Sequence, residues 1–217
     1  PNRSSGAYAR LEDFLGDVAE ILREEVEELV RLGATYIQLD APQYPLLVER
    51  RYRDFYESRG WPAERWLDLG LELDNLVIGH HPHVTFGFHL CRGNQASRWL
   101  VAGGYDWLAG RIFPRILAQR FLLEYDDPRS GTFEPLAKVP EDKMVVLGLV
   151  TTKTPRRETI EELAGRIREA SAFVPLERLA LSPQCGFATS IIGNALSLDD
   201  ERAKLRTIVE TAAIVWP

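Results

Sequence analysis

An α/β fold on a parallel sheet is what this sequence predicts, from three observations. Five short stretches with strand character alternate with helical stretches, each strand is apolar on both faces, and no glycine-rich phosphate loop of the G-x-G-x-x-G kind follows any of them. Strands buried on both faces belong to parallel sheets covered by helices. Of the two usual solutions, a doubly wound sheet and an eight-stranded barrel, the lack of a phosphate loop weighs against the first. A complete barrel needs about 250 residues, whereas this chain carries five strands in 217 residues, opens without Met and starts inside a loop. The reading is therefore a single domain, residues 1–217, forming the C-terminal portion of a (β/α)8 TIM barrel and covering about the last five βα units.

The elements follow in order. Leu11, Phe14, Leu15, Val18, Ile21, Leu22, Val26, Leu29 and Val30 recur at helical spacing over 10–32, and Gly33 stands where a left-handed cap is wanted. TYIQLD (35–40) is the first strand. Helical stretches over 44–57 and 63–76 lead to a second strand, HVTFGFHLC at 83–91, rich in Val, Thr and Phe. A helix over 105–118 precedes FLLEY (121–125). MVVLGLV (144–150) precedes a helix opened by Thr154 and Pro155, a cap and first-turn pair. LALS (179–182) is the last strand, and a final helix runs from after Ser197 to about Val215.

Composition narrows the partners. The chain is 45% hydrophobic and 27% charged, with a formal net charge of −6, which suits a soluble globular protein with an ample core. With no dense Lys/Arg cluster, neither nucleic acid nor an anionic membrane surface is expected as a partner. No apolar run reaches the ~20 residues of a membrane-spanning helix, and PNRSSGAYAR has no apolar signal core, so a cytoplasmic protein is expected. Two cysteines, Cys91 and Cys185, exclude a disulfide framework and leave a single bridge, two buried thiols or a metal site.

His89 and Cys91 are two apart on a strand, so both side chains leave the same face and can grip one ion. Glu124 lies near the C-terminal end of the next strand, and Cys185 three residues past the last one. In a parallel α/β fold all four gather at the C-terminal rim, where barrel active sites are built. One imidazole, one carboxylate and two thiolates suit zinc and are too soft for magnesium or calcium. Asp126 shares Glu124's strand face and competes for its place. His83, on the same parity but ~20 Å up the strand, cannot join that ion, and His80 and His81 sit at the opposite rim. Asp40 and Gln38 end the first strand on one side, facing inward at the rim, where Asp40 serves equally as a turn residue. Arg92, followed by Gly93 and Asn94, places a guanidinium at the rim that could hold a carboxylate or sulfonate. Thr151, Thr152 and Lys153 read as loop residues.

IQLDAP, then H-x-C, then a glutamate on a following strand, then Pro-x-Cys-Gly form an ordered set that resembles the catalytic barrel of cobalamin-independent methionine synthase. The likeness runs from about Arg10 to Trp216. HLCRGN with a following GGY, LEYDDPRSG, LGLVTTKTP and SPQCGFAT resemble its shorter single-barrel relatives, a group that includes epoxyalkane:coenzyme M transferase. The resemblance implies a Zn2+ site of His89, Cys91, Glu124 and Cys185, and a zinc-bound thiolate that attacks an alkyl donor. It matches Asp40 to the aspartate that holds the amino group of homocysteine. It also implies methyl transfer to homocysteine, giving methionine in methionine biosynthesis, from a methyl-folate or another methyl carrier. Coenzyme M with an epoxide is the alternative substrate pair. A non-catalytic truncated barrel module, with or without zinc, is the alternative of another class.

Overall fold

The computed structural model describes residues 6–188 and 190–217. Its centre is a five-stranded, wholly parallel sheet of β1 (Tyr36–Asp40), β2 (Thr85–Leu90), β3 (Arg120–Glu124), β4 (Met144–Val150) and β5 (Leu179–Pro183), in spatial order 1-2-3-4-5. Helices fill the connections: α1 (Leu11–Arg31) before β1; α2 (Gln43–Leu46), α3 (Arg50–Glu57) and α4 (Ala63–Ile78) before β2; α5 (Asp106–Ile112), α6 (Ile160–Ala170) and α7 (Leu198–Val215) after β2, β4 and β5. A doubly wound sheet reverses its strand order at a switch point; here each strand pairs with the next in sequence. Right-handed crossovers in an unreversed order lay every helix on one face, which is the winding of a barrel.

Curvature shows in the ends of the strands. Cys91, just past β2, and Cys185, just past β5, bring their sulfurs to 3.7 Å. In a flat sheet, three strand spacings would hold those positions about 14 Å apart. The sheet is therefore an arc whose C-terminal rim closes on itself. Strand parity sorts the side chains. Phe86, Phe88 and Leu90, with Phe121 and Leu123, and Val145, Leu147 and Leu149, are buried in one continuous core with Leu108, Ile112, Leu163 and Ile167 of the helices. The other parity, His89, Leu122, Glu124 and Gly148, faces the inside of the arc. At β1 that face is open, and Tyr36, Gln38 and Asp40 are exposed while Ile37 between them is buried.

Several boundaries differ from those the sequence suggests, each for a local reason. The stretch 44–57 is two helices, broken at Leu47–Glu49, where the Glu49 carboxylate accepts the Ala102 N–H. The helix expected to run to 118 stops at Ile112, short of Pro114, which cannot continue it. β2 begins at Thr85, so His83 is an exposed turn residue and not a strand residue. The helix after β4 starts at Ile160 and not at Thr154–Pro155. Thr159 caps it, with Glu162 bonding back to the Thr159 N–H, whereas the residue three beyond Thr154 is Arg157, which has no acceptor to offer.

The packing of α4 against the β1 loop half-buries a carboxyl group. The hydroxyl of Tyr44, itself fully buried, donates to Asp74 at 2.5 Å. Burial pushes the Asp74 carboxyl up to about 6, against the bond from Tyr44. A folded-state pKa above the unfolded value of ~3.9 means that the group favours folding at low pH and that this contribution is lost as pH rises toward 6. Asp74→Asn is accordingly expected to match the wild type near pH 4 and to exceed it by about 1–2 kcal/mol at pH 7. Urea unfolding of the two proteins across that range measures the difference; a pH-independent gap would contradict it.

Candidate metal centre

The strand ends deliver four donors to one point. His89 and Cys91 leave β2 on the inward parity, Glu124 ends β3, and Cys185 follows β5; their ligand atoms all lie within 4.8 Å of one another. His89, Cys91 and Glu124 are buried and Cys185 is partly so. A zinc ion with Zn–S bonds of ~2.3 Å sets two tetrahedral sulfurs about 3.8 Å apart, and the observed separation is 3.7 Å. The imidazole is oriented for the same task. Its Nδ1 faces the Leu122 carbonyl oxygen at 3.1 Å, leaving Nε2 buried without a hydrogen-bond partner among the described residues. A ligand histidine is arranged in this way, one nitrogen held by a carbonyl and the other free for the metal. The residues present therefore fit zinc.

Crowding also shows in the acidities. Cys91 is pushed well up by its hydrogen bond with Cys185 and by burial, and Cys185 is lowered by the same bond. Burial works against a charged His89, but the neighbouring Cys91, Asp40 and Glu124 outweigh it and raise the imidazole. A donor set of two thiols, an imidazole and a carboxylate crowded together in this way is complementary to a dication.

Glu124 is fixed from behind. Oε1 accepts the Arg92 backbone N–H at 2.6 Å, Oε2 lies 3.4 Å from the Arg129 guanidinium and 3.7 Å from the Lys153 ammonium, and the Glu124 N–H donates to the Tyr105 hydroxyl. Asp126, its competitor on sequence grounds, instead pairs with Arg129 at 2.9 Å.

In front of the donors lies a cleft of about 440 Å³ lined by Gln38, Asp40, His89, Leu122, Ser182, Gln184 and Cys185, among others. Asp40 is largely exposed to it, with Oδ1 3.9 Å from His89 Nε2. Gln38 and Asp40 thus stand where strand parity places them.

Arg92 does not, and the expectation that it receives a substrate anion is corrected. Its guanidinium is fully buried, lies 4.1 Å from the Tyr105 ring centroid and donates to the Gly103 carbonyl oxygen. The residue after Cys91 takes the parity of Leu90 and turns away from the cleft. Asn94 acts as a clamp, donating to Thr152 Oγ1 at 2.9 Å and to the Gly186 carbonyl oxygen at 2.7 Å. Residues that read as loop matter more than their sequence suggests. Lys153 is buried and donates to Gln184 Oε1, and Thr152 is fully buried and accepts from Gln184 Nε2 at 2.8 Å. The available signal was position, since Thr151–Lys153 directly follow the C-terminal end of β4. Arg129 carried a weaker one in Asp127-Pro128, whose carboxylate accepts the Arg129 N–H and turns the chain back over Glu124.

A parallel (β/α) arc with a His-Cys-Glu-Cys cluster on its C-terminal rim defines a class, the β/α barrel folds with a candidate metal site where such barrels build their active sites. Comparison with known proteins makes it particular. Residues 112–213 match the model of the cobalamin-independent synthase catalytic domain. The chain is 37% identical over 213 residues to the uncharacterised protein YxjH of Bacillus subtilis, covering 97% of this chain and 56% of that one. To the methionine synthase of Thermococcus kodakarensis it is 27% identical over 179 residues, covering 82% and 45%. Among solved structures, a candidate vitamin-B12 independent methionine synthase from Listeria monocytogenes superposes with a TM-score of 0.70 at 29% identity, covering 95% and 56%. A B12-independent methionine synthase from Shewanella shares the fold, with a TM-score of 0.72 at 24% identity, covering 96% and 56%. The chain is thus similar to the cobalamin-independent methionine synthase family, as a relative of its catalytic barrel. It spans about half the length of the relatives it matches. Among the described residues no helix is long and apolar enough to cross a membrane.

Proposed function

We propose that this chain carries the thiol-activating half of a zinc-dependent alkyltransferase, and that the transfer is of a methyl group to homocysteine, giving methionine. The observation that carries the reading is the cleft itself. His89 and Cys185 line it with Cys91 and Glu124 clustered against them, the exposed Asp40 carboxylate stands on its wall, and no lysine or arginine is among its described lining residues. A zinc ion held by His89, Cys91, Glu124 and Cys185 would lower the pKa of a substrate thiol and keep it as the nucleophilic thiolate at neutral pH. The protein's own part is binding and aim. Asp40 offers a charge-assisted bond to an ammonium, Gln38 beside it adds a neutral donor and acceptor, and the carboxylate wall repels a sulfonate. With Arg92 turned away from the cleft, an aminothiol is the better fit and coenzyme M the poorer one. Arg129, Lys153 and the Arg92 N–H hold Glu124 in place and give its carboxylate other partners as the substrate's sulfur, the third at the site, approaches. The methionine synthases among the relatives support the same chemistry. The methyl donor is the second partner, with a methyl-folate the candidate that the family suggests.

Asp40→Asn tests the substrate. Loss of a charge-assisted bond worth roughly 1.5–3 kcal/mol weakens homocysteine binding by about ten- to a hundred-fold. Zinc content stays unchanged, and mercaptopropionate, which has no amine, binds both proteins alike. Equal homocysteine affinity for the two proteins would remove the aminothiol assignment.

A further inference from the structure

The last helix buries a lysine. Lys204 of α7 is 1% exposed, and an apolar side chain would fill that space without the cost of desolvating an ammonium. Its Nζ donates to the Arg156 carbonyl oxygen and lies 3.2 Å from Glu158 Oε2. Glu158, also buried, accepts with Oε1 the N–H of Thr151, the first residue past β4, at 3.1 Å. The rim loop 151–158 is thus drawn into a ring and pinned to α7 through the buried Lys204, with Arg157 and Asp200 forming a looser, more exposed pair at 3.9 Å. What that loop carries reaches two of the four donors. Thr152 and Lys153 both bond Gln184, the neighbour of Cys185, and the Lys153 ammonium lies 3.7 Å from Glu124. Thr152 also accepts from Asn94, on the loop that follows Cys91.

We propose that Lys204 is a positioning residue for the metal centre, acting through Glu158 and the loop 151–153 to set the places of Cys185 and Glu124. The inference rests on the metal-centre reading above. It predicts that a side chain which touches no ligand governs how well the four donors converge.

Titration of the metal-free full-length protein with Co2+, followed by its sulfur-to-cobalt and d–d absorption bands, tests both. The wild type is expected to give the spectrum of a four-coordinate thiolate site. Lys204→Met is expected to weaken Co2+ binding by about tenfold, the low end of what outer-shell substitutions cost a metal site, and to alter the d–d bands. Leu163→Ala, a core truncation in α6, is expected to lower the melting temperature while keeping the wild-type spectrum and affinity, which separates positioning from general destabilisation. If Lys204→Met melts earlier yet binds Co2+ as the wild type does, Lys204 only anchors its helix and the proposal is overturned. Should Lys204→Met not fold, Glu158→Gln decides, because the amide keeps its shape and its bond to Thr151 but loses the buried ion pair with Lys204, along with the exposed and weaker one with Arg156. A weakened, altered Co2+ spectrum in that variant supports the proposal, and an unchanged one overturns it. A wild type without sulfur-to-cobalt bands overturns the metal centre itself, and with it this role for Lys204.

Discussion

Replacing both Cys91 and Cys185 with serine is expected to strip zinc from the protein while leaving the chain folded. A complete structural four-ligand zinc site contributes about 10–16 kcal/mol, so each ligand is worth about 3 kcal/mol, or ~100-fold in affinity. Serine substitutes a hard, neutral hydroxyl for a soft thiolate. Either single variant should therefore bind zinc about a hundredfold more weakly, and the double variant about ten-thousandfold. The fold survives because the sulfurs contribute little of the core, which lies on the other strand parity. Zinc per chain after equilibration in a metal buffer, with circular dichroism alongside, reads both halves of the expectation. Stoichiometric zinc in the double variant would dispose of the assigned site.

The second large effect is expected at a position with no functional group at all. Gly148 of β4 faces inward, level with Glu124 on β3 and Ser182 on β5. A methyl group there would sit 2.8 Å from the Gln184 Cα, 2.9 Å from the Leu123 carbonyl oxygen and 3.2 Å from that of Pro183. All three are backbone atoms, so no rotamer change relieves the contact. Gly148→Ala must displace the end of β5 and the start of the Cys185 loop. Overpacking of this kind costs about 1–3 kcal/mol, which for a chain of this size lowers the melting temperature by roughly 2–12 °C. Because the shift falls next to a ligand, zinc affinity should drop as well, by about tenfold. Thermal unfolding with and without zinc separates the two effects. An alanine variant that keeps wild-type melting and wild-type zinc affinity would show that β5 is free to move, contrary to its packing.

Strand parity explains most of what could be read from the sequence and most of what was misread. His89 and Cys91, two apart on a run of β-formers, announce a common face without any structure, and Glu124 and Asp40 follow from the same alternation at the ends of neighbouring strands. Arg92 was misplaced because closeness in sequence to Cys91 was taken for closeness in space. Counting one residue further along the strand turns its side chain into the opposite layer, against Tyr105. Lys153 and Gln184 were not legible, since their bond joins residues 31 apart and exists only once β4 and β5 have paired in register. The misjudged start of α6 is a different kind of error. Thr154–Pro155 is a sound opening by itself, but only Thr159 has a glutamate placed to close the box. The barrel winding was legible as alternation and lack of a phosphate loop, while the curvature that brings two ends of the arc to one ion was not.

The neighbour-to-neighbour order of the sheet would also govern how a metal is acquired. Each strand pairs with the one before it in sequence, so every step of assembly closes a short crossover, and the entropic cost of each closure grows only with the logarithm of its length. The two thiols are 94 residues apart, yet no step has to gather them directly, because their meeting is the sum of the local pairings between them. In small zinc modules the ion itself must draw distant ligands together, and uptake and folding are one event. Here the core of the paired strands lies apart from the donors, so hydrophobic pairing suffices to bring them together without an ion. Zinc loading would then be a bimolecular binding step on a folded chain, and its release would leave behind a protein still shaped to take the ion again.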